Sequence, residues 1–318
     1  MSSEAPYADL VPQRVLEAVD ALGLVPDGRL LALNSFENRV YQVGLEEAAP
    51  VVVKFYRPGR WSDQAIDEEH EFAAELAAAE LPVVAPLVFC GRRLHRHAGF
   101  RFAVYPRRGG RAPTLESAEH LAWMGRLIAR IHNIGARRPF RARGAIDLDT
   151  LLHAPAAAVL ASPLLPAHLA TRYRAAVAAL VPPLEAAFAA VADVPRLRLH
   201  GDCHPGNVLW TDAGPHFVDL DDARQGPAIQ DLWMLAGDRA ALDALLDGYT
   251  EFRDFDYREL ALVEPLRVLR QMHWAGWIAH RWNDPAFPAA FAHVGEARWW
   301  EQHVGDLGEA APRLDAAG

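Results

Sequence analysis

Lysine is almost absent from this sequence. Of its 32 basic residues, 31 are arginine, and the single lysine, Lys54, sits inside Val51-Val52-Val53-Lys54-Phe55-Tyr56. A chain that uses arginine at every other basic position has little use for lysine as general surface charge. Its one ammonium therefore points to a task that a forked guanidinium does poorly, a compact point charge at a fitted site. The β-branched and aromatic neighbours read as a buried strand. A cation leaving such a strand needs an anionic partner, because an unpaired buried charge is very costly. Phosphate oxygens and a carboxylate on a neighbouring helix are the natural partners.

Other shortages exclude whole classes. Cys90 and Cys203 are the only cysteines, too few for a disulfide framework or a Cys-rich zinc site. No run of about 18 apolar residues occurs, so no membrane span is expected. The Met1–Ala5 segment lacks the basic and apolar blocks of a signal peptide, and a cytoplasmic protein is the expectation. The formal net charge of −9 argues against nucleic acid, whose binders present a basic face. The nearest thing to a basic patch, Arg137, Arg138, Arg141 and Arg143, reads as a solvated linker.

What is present reads as an α+β chain of two lobes. Val15, Val19 and Leu22 repeat at helical spacing within 11–22. Leu30–Val43 reads as two extended pieces around the polar loop Asn34–Arg39, followed by the Lys54 strand. Ser62 is a good N-cap for a helix running to about Ala79, and 87–94 with 100–105 reads as a hairpin around His95–Gly99. The turn-rich break at 106–110 divides an N-lobe, 1–106, from a mostly helical C-lobe, 107–318. In the C-lobe, 117–133 reads as a helix with Gly135 as its C-cap. The Ala-rich run 175–192, interrupted by Pro182-Pro183, suits a helix pair. Short strands are expected at 197–200, 208–210 and 216–220, and helices over 229–236, 240–252 and 259–282.

The chemistry concentrates in His200-Gly201-Asp202-Cys203-His204-Pro205-Gly206-Asn207 and in Val218-Asp219-Leu220-Asp221-Asp222. Phosphoryl transfer asks a protein for metal ligands, a cation on the non-transferred phosphates and a carboxylate that orients the attacking hydroxyl. Asp202 followed five residues later by Asn207 matches a kinase catalytic loop. Asp219, 17 residues after Asp202, falls where a second metal-binding Asp belongs. Such hard oxygen ligands suit Mg²⁺ or Mn²⁺ rather than zinc. Glu69, on the helix after the Lys54 strand, would complete a Lys–Glu pair, with Glu68 and Glu71 as rivals. No G-x-G-x-x-G loop is present, so Asn34–Arg39, with its backbone and Ser35, must supply phosphate contacts. Asp219-Leu220-Asp221 also stands where protein kinases have Asp-Phe-Gly. Cys203, beside Asp202, reads as a packed small residue, since nothing near it in sequence would stabilise a thiolate.

These segments resemble a known family. N-S-F-E-N-R-V-Y-Q at 34–42, V-V-K-F-Y-R-P-G-R-W at 52–61, R-L-H-G-D-C-H-P-G-N-V-L-W at 198–210, F-V-D-L-D-D-A-R at 217–224, Q-D-L-W-M-L at 230–235 and R-W-N-D-P-A-F-P at 281–288 are similar to the bacterial stress response kinase A family. The resemblance implies a bilobal, protein kinase-like (aminoglycoside phosphotransferase-like) fold using ATP and Mg²⁺. It implies Asp202 as proton acceptor, Asn207 and Asp219 on Mg²⁺, Asp219 also as an active-site residue, Ser35 on ATP and Asp231 as a structural brace of the catalytic loop. It also implies a cytosolic Ser/Thr protein kinase of the stress response, with autophosphorylation and a protein acceptor. A monomer that engages neither nucleic acid nor membrane is expected.

Three other readings use the same residues. A small-molecule phosphotransferase of the aminoglycoside, choline, sugar or homoserine type shares the fold, and an acidic cleft at Asp221 and Asp222 would suit a cationic substrate or a basic peptide. A metal-dependent hydrolase could read His200-x-Asp202-x-His204 as a ligand cluster, but leaves Lys54 and Asn207 idle. A nucleotide-binding pseudokinase is opposed by the full set of catalytic groups.

Overall fold

The computed structural model describes residues 6–317; the signal-peptide reading of Met1–Ala5 lies outside them. A leading helix, α1 (Pro12–Asp20), precedes β1 (Pro26–Ala32), β2 (Arg39–Leu45) and β3 (Val51–Phe55). Next come α2 (Asp63–Ala78), β4 (His95–His97) and β5 (Phe100–Pro106), and the strands form one antiparallel sheet in the order β1-β2-β3-β5-β4. Alternation along β3 sends Val51, Val53 and Phe55 into a core with Val15 and Val19 of α1, and turns Val52 and Lys54 to the opposite face. Ser62 caps α2 as expected, its Oγ accepting from Ala65 N at 3.1 Å.

The remaining elements are mostly helical: α3 (Ala118–Gly135), α4 (Ala154–Ala161), α5 (Ala170–Ala189), α6 (Arg239–Thr250), α7 (Val263–Arg281), α8 (Ala286–Ala290) and α9 (Ala297–Ala317). Two small antiparallel pairs lie among them, β6 (Leu197–Leu199) with β9 (Arg224–Gly226), and β7 (Val208–Thr211) with β8 (Gly214–Phe217). A second core runs from Phe72 on α2 through α3 to α9. Among the described residues, no helix is long and apolar enough to cross a membrane.

Four local readings are corrected. His95–His97 is strand β4 rather than hairpin loop, and the turn is Ala98-Gly99, both with positive φ, the geometry a two-residue hairpin loop requires. The Ala-rich run is one helix, α5, passing through Pro182 and Pro183. Those prolines free the carbonyls of Ala178 and Ala179, which lie at exposed positions, while Tyr173, Ala176, Leu180 and Leu184 are buried along the other side. Gly135 ends α3 inside the helix, and a Cβ there would stand 2.2 Å from Arg198 O. Its role is close approach to β6 rather than capping. Finally, 229–236 forms two 3₁₀ turns, Ala228–Asp231 and Trp233–Leu235, because Gln230 and Asp231 are drawn inward to hydrogen-bond the backbone of His200 and Gly201.

Candidate active site

Lys54 reaches a cavity of about 790 Å³ between the sheet and the helical part. Leu33, Val40 and Val52 wall it on the sheet side, and Leu209 and Val218 opposite. The lysine is 6% exposed. Its Nζ lies 2.9 Å from Asp219 Oδ1, 3.2 Å from Asp221 Oδ1 and 3.9 Å from Glu69 Oε1. Burial works against its charge, but the three carboxylates overcome it and hold the ammonium's pKa well above the ordinary range. The rivals of Glu69 point elsewhere: Glu68 accepts from the backbone of 141–143, and Glu71 pairs with Arg138. Burial raises the Glu69 carboxyl to about 7, although Lys54 and Arg143 both oppose the shift.

The loop 200–207 is set by its own backbone. Gly201 has φ +84°, and a Cβ there would sit 2.1 Å from Asp222 O, so only glycine lets the loop cross the acidic segment. Asp231 braces it from beneath, accepting from His200 N at 2.7 Å and Gly201 N at 2.8 Å. His132 Nε2 donates to the same carboxylate at 3.1 Å. Gln230 Nε2 donates to Gly201 O at 2.8 Å. Asn207 Nδ2 donates to Asp202 O at 3.0 Å, which leaves its Oδ1, an acceptor, outside that bond. Val218 N donates to Asn207 O at 3.0 Å, so the residue that follows, Asp219, emerges beside Asn207. Asp219 takes a left-handed conformation, φ +59° and ψ +64°. That is uncommon for a residue with a Cβ, and it turns the carboxylate back to the cavity.

Asp202 lines the same cavity. Burial alone would raise its pKa, but hydrogen bonding with His204 and the charge of Arg270 hold it down to about 2. Ser35 lies on the cavity wall, its Oγ donating to Asn38 O at 3.1 Å. Cys203 is 1% exposed, and burial pushes its thiol up, in keeping with a packed residue. The histidines flanking Asp202 do not form a metal cluster. His200 Nε2 donates to Val218 O at 2.9 Å, while His204 Nδ1 accepts from Gly206 N. Among the described residues, no group of three His, Cys, Asp or Glu converges to hold a metal.

Two expectations about charge are overturned. Asp221 and Asp222 do not form a free acidic cleft. Arg60 binds both, Asn38 Nδ2 donates to Asp221 at 3.1 Å, and Arg224 pairs with Asp222 at 2.7 Å. Arg143 is not solvated: it is 4% exposed and donates to Glu69 and to the carbonyls of Asp221 and Ala223. Sequence reasoning missed Arg60 and Arg143 as site residues because their partners lie far away along the chain, and missed Arg224 although its partner Asp222 is two residues away.

An ionic latch ties the Asn34–Arg39 loop to the helical part. Glu37 accepts from Arg281 Nη2 at 3.0 Å and from Trp277 Nε1. Asp284 accepts from Arg57 Nη2 at 2.6 Å and from Arg39 at 3.3 Å. Phe36 packs on Phe291 with ring centroids 5.0 Å apart. Asp284 is 5% exposed and Arg57 is 7% exposed, and removing one member of a buried pair costs about 3 kcal/mol. Asp284→Ala is therefore expected to lower Tm by about 5–10 °C in a thermal unfolding scan. A shift within about 1 °C would remove the latch as a stabilising feature.

The comparisons agree with this geometry. Residues 29–263 match the model of the phosphotransferase enzyme family. The serine/threonine protein kinase RdoA of Salmonella typhimurium is 42% identical over 303 residues, covering 94% of this chain and 92% of the relative. Stress response kinase A of Shigella flexneri is 43% identical over 302 residues, covering 93% and 91%. Among solved structures, an amicoumacin kinase superposes with a TM-score of 0.71 at 18% identity, covering 93% of each chain. A spectinomycin phosphotransferase does so with 0.65 at 12% identity, covering 95% and 98%. Sheet, helical lobe and cleft thus have the architecture of these kinases, and the chain belongs to the phosphotransferase enzyme family and, within it, to the stress response kinase A family of serine/threonine kinases.

Proposed function

We propose that this kinase transfers the γ-phosphoryl group of Mg²⁺-ATP to Ser or Thr hydroxyls of proteins, itself included, in the cytoplasm. The observation that carries the reading is the convergence of Lys54, Asp202, Asn207 and Asp219 on one cavity. Lys54 is the cation for the non-transferred phosphates, and Glu69 steadies it from α2. Asp202 stays ionised near neutral pH and accepts the hydroxyl proton. Asn207 Oδ1 and the Asp219 carboxylate would hold the metal. Two protein oxygens with the rest supplied by phosphates and water is a usual Mg²⁺ arrangement, and bound Mg²⁺ would offset charge on the phosphates. The amicoumacin kinase is described in complex with AMP-PNP and Ca²⁺, which supports nucleotide and divalent metal here. Ser35 and the Asn34–Arg39 backbone would close over the phosphates.

Charge favours a protein acceptor over a cationic small molecule. The acids that could have bound an aminoglycoside or choline, Asp221 and Asp222, are engaged with Arg60 and Arg224. The test is radiolabelled ATP with a casein-type protein, an aminoglycoside and choline offered side by side, followed by mass spectrometry for phospho-Ser and phospho-Thr. Labelled protein, including the kinase, is expected. Choline or aminoglycoside turned over with kcat/KM above roughly 10⁴ M⁻¹s⁻¹ beside unlabelled protein would overturn the reading.

A further inference from the structure

The acceptor side of the cleft carries an arginine that the reaction does not otherwise require. Arg270, on α7, donates through Nη1 to Asp202 Oδ1, and among the described residues Asp202 is its only ion-pair partner. Its side chain is 44% exposed, unlike those of Arg60, Arg143 and Arg224, which are 13% exposed or less and bound to Asp221, Asp222 and Glu69. Arg270 is therefore open to an incoming anion without leaving a buried site.

Arg270 and Trp274 also line a second, more open cavity of about 430 Å³, with Trp233, Trp299 and His303 among its other walls. An acceptor lying in this second cavity reaches Asp202 past the guanidinium. Two other charges line it: Arg267, paired with Glu264, and Asp306, which among the described residues has no cation beside it. Arg267 Nη1 donates to Glu264 at 2.9 Å, and Asp306 accepts from Gln302 at 2.6 Å. Arg270 is the cation that lines both cavities, and a guanidinium fork matches a carboxylate.

Resting on the protein-kinase reading, we propose that Arg270 is an acceptor-recognition residue that takes a carboxylate flanking the target Ser or Thr, so that the substrates are acidic segments. When the guanidinium moves to that carboxylate, Asp202 Oδ1 is released to the hydroxyl. The hydroxyl proton passes to Asp202 as the acceptor oxygen bonds to the γ-phosphorus, and the bond from that phosphorus to ADP breaks. The aromatic second cavity holds the rest of the segment.

The experiment compares three Ser peptides, identical except for Glu, Gln or Lys beside the serine, with the wild-type chain, Arg270→Gln and Arg270→Glu. The readout is the ratio of kcat/KM between the Glu and Lys peptides. Wild type should favour the Glu peptide by about tenfold, the scale of one partly desolvated charge pair. Arg270→Gln should flatten the ratio and Arg270→Glu should invert it. A ratio unchanged across the three proteins, however far the absolute rates fall, would mean that Arg270 only positions Asp202 or the transferred group, and the inference would fail alone. A wild type that labels none of the peptides but phosphorylates choline or an aminoglycoside overturns the protein-kinase reading, and the inference with it.

Discussion

Asp202→Asn is expected to reduce turnover by about 10²–10⁴-fold, the range for loss of a positioned general base, with Mg²⁺-dependent nucleotide binding retained. Asp219→Asn is expected to do the opposite first, weakening the binding of nucleotide with metal. The separation follows from position. Asp202 stands on the loop between β6 and β7, its oxygens turned to Arg270 and His204. Asp219 leaves the end of β8 in a left-handed conformation and faces Lys54. Asparagine keeps the shape of each side chain but loses one anionic charge, so the two variants compare charge rather than volume. Because hydrogen bonding and the Arg270 charge hold Asp202 at about 2 in the free enzyme despite burial, its ionisation imposes no fall in kcat/KM between about pH 5 and 8. Calorimetric titration with Mg²⁺ and a non-hydrolysable nucleotide, alongside kcat, checks the pair. Weakened nucleotide binding in Asp202→Asn with binding intact in Asp219→Asn would mean that the two roles are exchanged.

Replacing the one lysine should be equally severe for activity and less so for the fold. Lys54→Ala removes the cation facing Asp219, Asp221 and Glu69, but Arg60 still binds Asp221 and Arg143 still binds Glu69. The expected stability loss is accordingly about 3 kcal/mol, that of one broken buried pair, rather than unfolding. Turnover should fall by about 10²–10³-fold, the scale of losing one preorganised charge. Lys54→Arg should be severely impaired as well. The site is built around a point charge met by carboxylates at 2.9, 3.2 and 3.9 Å, and a planar fork cannot repeat that geometry. Turnover of the arginine variant close to wild type would refute the assigned role, and a thermal scan of both variants separates lost chemistry from lost fold.

Several features are legible in the sequence because they are local. The period-2 run around Lys54, the Ser62 cap, and the tight Asp202–Asn207 spacing each depend on residues adjacent in the chain. Three of the four departures from local expectation come from tertiary context. The 3₁₀ turns at 228–235 replace a helix because Gln230 and Asp231 bond the backbone of a loop about 30 residues upstream. The helix α5 survives two prolines because one face is buried and the freed carbonyls lie on the exposed one. Gly135 has the sequence position of a terminator, yet its bare Cα answers to the approach of β6.

The chemistry of this protein is written in its linear order: a point cation on a buried strand, two acids and an amide at kinase spacing, and segments that resemble one kinase family. Short-range backbone geometry and residue type carry that information, and both can be read along the chain. The electrostatic state of the site, by contrast, is settled by folding alone. Asp221 meets Arg60 across 161 residues, Asp202 meets Arg270 across 68, and Asp284 meets Arg57 across 227. Charge pairing depends on distances of a few ångströms, and chain separation gives no measure of those. A cleft that reads as acidic in sequence is therefore, in the folded chain, lined by acids already bound to arginines.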